Sequence, residues 1–283
     1  MQVADYVPRR RRLPCCAAEC NVTPILLIRD SAERREHAVP EFDPTEYGSN
    51  IADDYDIIYG AAFDTQATVD RLTELAGDGP ILELGVGTGR LAIPLAQKGF
   101  TVHGVDGSEQ MLQLLHAKAG SENVGTTRGD FSEVRLEPAQ FSLVVLAVNT
   151  IFALEDQAAQ VRCFATAAHH LRAGGRFVVE AWVPQNLPAG QSLRPRKLSP
   201  GFIGIVVADN DPSTQTLATT QIVLGGSLGV RVFPVVHRYA WPSELDLMAR
   251  LAGLTLESRW ADWNCTPFGP ASTNHVSVYQ VGP

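Results

Sequence analysis

Residues 81–96 read ILELGVGTGRLAIPLA, in which the acidic Glu83 precedes glycines at every second position, Gly85, Gly87 and Gly89, and Arg90 opens an apolar run of helical spacing. A turn so bare lets backbone approach a ligand closely, since any Cβ would intrude. A phosphate-cradling loop requires Lys followed by Ser or Thr after its last glycine, and Arg90-Leu91 stands there instead, so that reading fails. A dinucleotide turn is spaced G-x-G-x-x-G, whereas this one is G-x-G-x-G. Asp106 lies 17 residues after Gly89 at the end of the next strand-like run, where a carboxylate can accept bonds from both hydroxyls of a ribose. It is also placed to cap the helical segment that starts near Ser108.

Other side chains suited to proton transfer are sparser. His237 lies in the run HRYAW just before the last large helical segment, and Glu180 sits toward the carboxyl end of a strand-like run, the end at which open α/β sheets bind ligands. His103 falls inside a buried strand pattern, and His169 and His170 end a helical pattern where an imidazolium suits the helix dipole, so these three read as structural. Five cysteines, an odd number, argue against a disulfide framework, and the cluster Cys15, Cys16, Cys20 lacks a fourth ligand at zinc-finger spacing, so no metal site is expected.

The elements that must position these groups follow from periodicity. Short apolar runs at 80–86, 100–106, 141–148 and 176–183 alternate with helical segments at 89–98, 108–118 and 157–172. That alternation predicts a parallel sheet buried on both faces beneath helices. After Pro184 the pattern becomes β-rich runs parted by Gly, Asp and Pro, which predicts antiparallel hairpins over residues 184–238. A helix over 243–253 follows, with Ser243 placed to cap it, and then strands at 254–260 and 275–281. Residues 1–40 carry seven Arg and five acids and read as a flexible extension, leaving residues 41–283 as the folded domain.

The formal net charge of −8 disfavours a nucleic-acid partner, and no apolar run reaches the eighteen residues of a membrane span. Pro14, Glu19 and Asn21 interrupt the segment after the arginines that a secretion signal would need, so the expected location is the cytoplasm. The expected partner is a small molecule, with a homodimer compatible with the pattern.

Taken in order, ELGVGTGR, VDGSEQML, RGDF, FSLVVLAVNTIFAL and LRAGGRFVVE resemble the class I S-adenosylmethionine-dependent methyltransferases over about residues 45–283. The resemblance implies a doubly wound, mostly parallel seven-stranded sheet with an antiparallel last strand, and an antiparallel cover inserted at 184–238. It implies S-adenosylmethionine as cofactor and S-adenosylhomocysteine as product. On the matching positions it places Glu83, Gly85, Gly87, Gly89 and Arg90 at the amino-acid portion, Asp106 at the ribose, and Asp130 with Phe131 or Met111 at the adenine. It places Val148, Asn149 and Phe152 near the methyl donor, and a lid carrying Tyr47, Tyr55 and Tyr59 over the cleft; Tyr55 and Tyr59, one helical turn apart, equally suit an aromatic packing stripe. Trp182 is expected to wall the acceptor pocket, with Tyr59 and His237 beside it.

Methyl transfer from a sulfonium is an in-line displacement that needs alignment and exclusion of water more than a base. A neutral amine attacks unaided, whereas a phenol or alcohol benefits from a positioned base, for which His237, Glu180 and Tyr59 are the candidates. The layout resembles that of amino-sugar N-methyltransferases from bacterial natural-product pathways, and N or O of a small metabolite or sugar is the expected target. Two other readings stand beside it: a protein that binds the sulfonium without moving its methyl, and a nicotinamide-dependent oxidoreductase, which the glycine spacing disfavours.

Overall fold

The structure, a computed structural model, describes residues 48, 51–52, 55–56, 63–137, 140–199, 202–225 and 229–282. Tyr47, Tyr59, residues 1–40 and the cluster Cys15, Cys16, Cys20 lie outside the described residues.

A seven-stranded sheet is built from β1 (Ile81–Leu84), β2 (Val102–Asp106), β3 (Val124–Arg128), β4 (Phe141–Leu146), β5 (Leu171–Trp182), β10 (Leu254–Trp260) and β11 (Asn274–Val281), in the spatial order β10-β11-β5-β4-β1-β2-β3. Pairs among β1 to β5 are parallel, while β11 runs antiparallel to both β5 and β10. Between them run α1 (Thr65–Ala76), α2 (Ala92–Gln97), α3 (Glu109–His116), α4 (Gln157–His170) and α5 (Pro242–Leu251).

The near-continuous apolar strands are explained by burial on both faces. Leu82, Leu84, Val144, Leu146, Phe177 and Val179 face one core, completed by Phe164 of α4 and Leu245 and Met248 of α5. Their alternates Ile81, Leu143, Val145 and Val178 face the other, completed by Val69 and Leu72 of α1, Leu95 of α2 and Leu112 and Leu115 of α3. This period-two division holds the strands in register, because a one-residue slip would exchange the two cores.

A second sheet comprises β6 (Gly190–Ser199), β7 (Phe202–Asp211), β8 (Thr216–Gly225) and β9 (Val230–Arg238), all antiparallel. Both edge strands carry a proline, Pro195 and Pro234, where a missing amide costs no ladder bond. Val223 and Phe233 are buried from this sheet against Ile51, Ala52 and Met111, while Leu193, Ile203, Val230 and Val232 are exposed.

Three local expectations change. The polar stretch of β6 carries no strand pattern, and its pairing with β7 makes it an edge strand. The strand VGTTR of β3 is similarly weak in the sequence because it closes the other sheet at its edge. Ser243 does not cap α5: Trp241 is the capping position without a side-chain bond, and Pro242 starts the helix, where its missing N–H is no loss. Asp246 serves tertiary structure, accepting from Arg259 and, at 3.0 Å, from the Tyr279 hydroxyl.

The end of β9 is fastened to the main domain by Arg238. Its guanidinium donates to Gln160 Oε1 of α4 at 2.7 Å and to Glu244 Oε1 of α5 at 2.7 Å, and Gln160 Nε2 donates back to the Arg238 carbonyl at 2.7 Å. Arg238 and Gln160 are both buried. Replacing Arg238 by Ala strands these partners and is expected to cost about 3 kcal/mol of stability. Urea unfolding of the two chains checks this; equal midpoints would show that the ion pair fastens nothing.

Candidate functional site

The site begins with the local geometry of the glycine turn. Gly85 (φ 74°), Gly87 (φ 54°) and Gly89 (φ 82°) all occupy the left-handed region, which L side chains rarely adopt. Their spatial demands differ. A Cβ on Gly85 would stand 2.5 Å from Thr150 Cγ2, and one on Gly89 would meet Ile93 and Leu115 at 2.9 Å, whereas nothing lies within 4 Å of the Gly87 position. Gly87 therefore opens onto free space, and Gly89 is a packing glycine beneath α3.

Asp106 ends β2 beside this turn. Its Oδ2 accepts the Gly87 N–H at 2.8 Å and its Oδ1 the Ser108 N–H at 2.9 Å. Burial pushes its carboxyl upward, opposed by these amide bonds. Each oxygen keeps a lone pair for a further donor, so capping and ligand binding are compatible. The Ser108 hydroxyl, not Asp106, accepts the Met111 N–H at the start of α3.

These groups line a cavity of about 810 Å³ together with Met111, Asp130, Phe131, Tyr55 and the cover-sheet residues Val235 and His237. A volume near the upper end for small-molecule sites has room for a nucleoside cofactor and an acceptor together. Asp130 orients itself through the Ser132 N–H at 2.7 Å on Oδ1. Tyr55 and Asp56 belong to a strap tied to the glycine turn: Thr88 Oγ1 donates to Asp56 at 2.8 Å, and Lys118 Nζ bridges Asp56 at 2.6 Å and the Thr88 carbonyl at 2.9 Å.

Glu83 lies under the turn, outside the cavity lining. It is 5 % exposed, and its Oε2 is buried with no partner. Burial raises its carboxyl to about 8, with Arg90 and the Ala92 amide pulling it down. Such a group is stabilised as a carboxylate by a cation brought to the turn. A buried acid with one unpartnered oxygen beneath the turn, an open Gly87 and a half-satisfied Asp106 fit the ammonium, amino-acid and ribose portions of S-adenosylmethionine.

Across the cavity Val148 (φ 50°) and Asn149 (φ 61°) form two successive left-handed non-glycine residues after β4. His237 projects from β9 on the same face as Val235. Its Nδ1 is buried without a partner, and burial lowers the imidazole to about 4, with only the Phe152 backbone drawing it upward.

Several expectations are corrected. Glu180 does not line the cavity; its carboxylate accepts the Val148 N–H at 2.9 Å and the Trp263 indole N–H at 2.9 Å, which leaves it no role as a base. Arg90 stacks on Phe63, 5.0 Å from the ring centre, and faces Thr65 behind the lining. Phe152 is fully buried and packs edge-on to Trp182 at 4.9 Å, so both stand one layer behind the wall instead of in it. His103 bonds Thr127 at 2.9 Å, and buried His170 receives the Leu136 N–H at 2.9 Å, as structural histidines. Lining residues that sequence patterns did not single out include Thr150, Leu154, Glu155, Arg162 and Gln221. Gln221 had one usable signal, since the antiparallel hairpin that brings His237 over the cleft also brings its neighbour strand.

Comparison with known proteins accords with this geometry. Residues 81–175 match a methyltransferase domain family. The chain is 28% identical to a cypemycin N-terminal methyltransferase from Streptomyces sp over 84% of its own length and 98% of that protein. Among solved structures, the CcbJ methyltransferase from Streptomyces caelestis is 40% identical with a TM-score of 0.81, covering 86% of this chain and all of that one. The amino pentose methyltransferase CalS10 from Micromonospora echinaspora, solved with S-adenosylmethionine bound, shares the fold at 20% identity and a TM-score of 0.61, over 80% of this chain and 96% of that one.

The state of Glu83 generates a prediction. Between about 4.5 and 8 the unfolded chain ionises Glu83 while the folded chain keeps its proton, so this group opposes folding increasingly as pH rises through that window. A ligand ammonium at the turn reverses the preference, so binding of S-adenosylhomocysteine at pH 7 is expected to release a proton. Titration calorimetry in phosphate and in Tris should give different heats, and Glu83→Gln should remove the difference. Equal heats in the two buffers with the unaltered chain would contradict the assignment.

Proposed function

The chain belongs to the class I S-adenosylmethionine-dependent methyltransferases, and from that premise we propose that its acceptor is the neutral amine of a small natural-product molecule. When bound, S-adenosylmethionine supplies an electrophilic methyl group on a sulfonium. The observation that carries the amine reading is His237, a cavity-lining imidazole with a buried, unpartnered Nδ1, lowered to about 4.

An imidazole so depressed is neutral at pH 7 and a poor acceptor of a full proton from an alcohol or phenol, because general-base efficiency falls as the base's pKa drops away from the working pH. It is a good hydrogen-bond acceptor. With the Phe152 backbone bonded to the ring, the buried, unpartnered Nδ1 of this cavity-lining residue keeps a lone pair for a donor seated against it. A neutral amine donates one N–H to that lone pair and keeps its own lone pair for attack. The extra proton of the methylated product leaves to solvent, with no protein base required. Glu180 is committed to structural bonds, and Asp106 accepts amides at the far side of the cleft, so neither competes for the acceptor's proton.

The cover sheet contributes Gln221, Val235 and His237 to the cavity wall opposite the glycine turn, and an acceptor seated between them would displace water from the transfer. The similarity to a methyltransferase named for an N-terminal amine supports the same atom type. On this reading Asp106, Asp130, Met111 and Phe131 serve the cofactor, while His237 and Val235 of the cover contact the acceptor.

The test is a paired acceptor panel, each amine matched to the corresponding alcohol, including aminodeoxy sugars and amino-terminal peptides, scored by mass for gain of one methyl. Amines are expected to react and alcohols not, with a rate at saturating S-adenosylmethionine that rises with pH as the acceptor amine deprotonates and no inflection from His237 between 6 and 8. His237→Ala is expected to lower kcat/KM about ten- to a hundredfold, the loss of an orienting hydrogen bond. Methylation of the alcohols, or an enzyme pKa near 7 abolished in His237→Ala, would overturn the amine reading in favour of base-assisted O-transfer.

A further inference from the structure

Two successive left-handed residues without glycine are costly, more so for the β-branched Val148, and they persist only where the surroundings impose them. The structure shows what imposes them. Glu180 holds both residues: its side-chain Oε2 accepts the Val148 N–H at 2.9 Å, and its backbone carbonyl accepts the Asn149 N–H at 3.0 Å. The Asn149 side chain in turn accepts the Trp182 N–H at 2.7 Å, so the loop is bonded to β5 at Glu180 and at Trp182. The Glu180 carboxylate is itself aimed by Trp263, whose indole N–H donates to Oε1 at 2.9 Å. Trp263 is 7 % exposed and packs in the core cluster of α1 and β11, so it cannot swing away.

The loop so fixed is functional ground. Val148, Asn149 and Thr150 line the cavity, and Thr150 fills the space left by the missing Cβ of Gly85. A backbone displacement here moves the wall shared by the glycine turn and the acceptor space. We propose that Glu180 and Trp263 are positioning residues, a half-buried acceptor and the buried donor that orients it, which hold Val148–Asn149 in the left-handed geometry that shapes the cofactor cleft. Neither touches the cavity, and neither takes a proton in the reaction.

The arrangement makes a specific demand on hydrogen-bond polarity. Both Glu180 oxygens face donors. A glutamine offers one acceptor and one NH2, so Glu180→Gln sets its NH2 against either the Val148 N–H or the Trp263 indole. Removing the indole donor with Trp263→Phe frees the glutamine to turn its oxygen onto Val148. A defect in Glu180→Gln should therefore be repaired by a second substitution that is itself harmful or neutral, an outcome that general loss of stability does not produce.

The experiment is calorimetric titration of S-adenosylhomocysteine into the full chain and the variants Glu180→Gln, Trp263→Phe and the double variant, with hydrogen–deuterium exchange read over residues 146–152. Glu180→Gln is expected to weaken binding about tenfold or more and to expose the loop amides. Trp263→Phe should stay within about threefold of the unaltered chain, and the double variant within about threefold of Trp263→Phe, with protection restored. A Glu180→Gln chain that folds only when Trp263→Phe is present is the same rescue read as soluble yield. Binding by Glu180→Gln equal to that of the unaltered chain, or a double variant no better than Glu180→Gln or unable to fold, would overturn the proposal.

Discussion

The bond from the Gly87 amide to Asp106 Oδ2, at 2.8 Å, is the contact on which the rest of the site depends. It joins the turn after β1 to the end of β2 and sets a backbone amide and a half-buried carboxylate on one rim of the cleft. The bond requires Gly87 at a φ of 54°, and it holds Asp106 in a place where burial alone would favour its neutral form. The sheet exists around this point in a literal sense. β1 and β2 pair in parallel from Ile81↔Val102 to Leu84↔Val105, and the two cores fix that register residue by residue. Ligand binding at the carboxyl ends of the strands follows, because only there do the turns open away from the helices.

The opposite wall is made differently. Where the glycine turn uses freedom from side chains, the Val148–Asn149 loop uses constraint by side chains, and the cover sheet contributes an imidazole that burial lowers against the pull of the Phe152 backbone. On the proposed reading the three walls divide the chemistry: the sheet end would take the cofactor through amides and carboxylates, the loop would fix the distance to which an in-line displacement is most sensitive, and the cover would offer a neutral lone pair.

Much of this was legible from residue order. The glycine spacing, Asp106 and the apolar runs of 81–84, 102–106 and 141–146 are local signals, and local signals survive in a linear text. The weak elements were the edges: β3 and β6 pair on one side only, so their composition is not forced toward Val and Ile. Side-chain commitments were not legible at all. Glu180 sits where a candidate base is expected, and only the three-dimensional arrival of Trp263, 83 residues later, shows that it is occupied. Arg90 and Phe152 fall in motif positions yet point behind the wall, because the turn and the short helical turn at 150–153 each rotate the chain between one residue and the next. Ser243 fits a capping pattern, but Pro242 already starts the helix one residue earlier.

The account stands or falls on Asp106, and the most direct measurement is titration calorimetry of S-adenosylmethionine with the unaltered chain and with Asp106→Asn. Asparagine keeps the shape but sets an NH2 where both oxygens now accept, toward Gly87 or Ser108 and toward the ribose. The predicted result is an affinity lowered about a hundredfold, the loss of charge-assisted bonds to both ribose hydroxyls, in a chain that still unfolds cooperatively, at a lower urea concentration. Affinity within about threefold of the unaltered chain would contradict it and would place the cofactor elsewhere in the cavity.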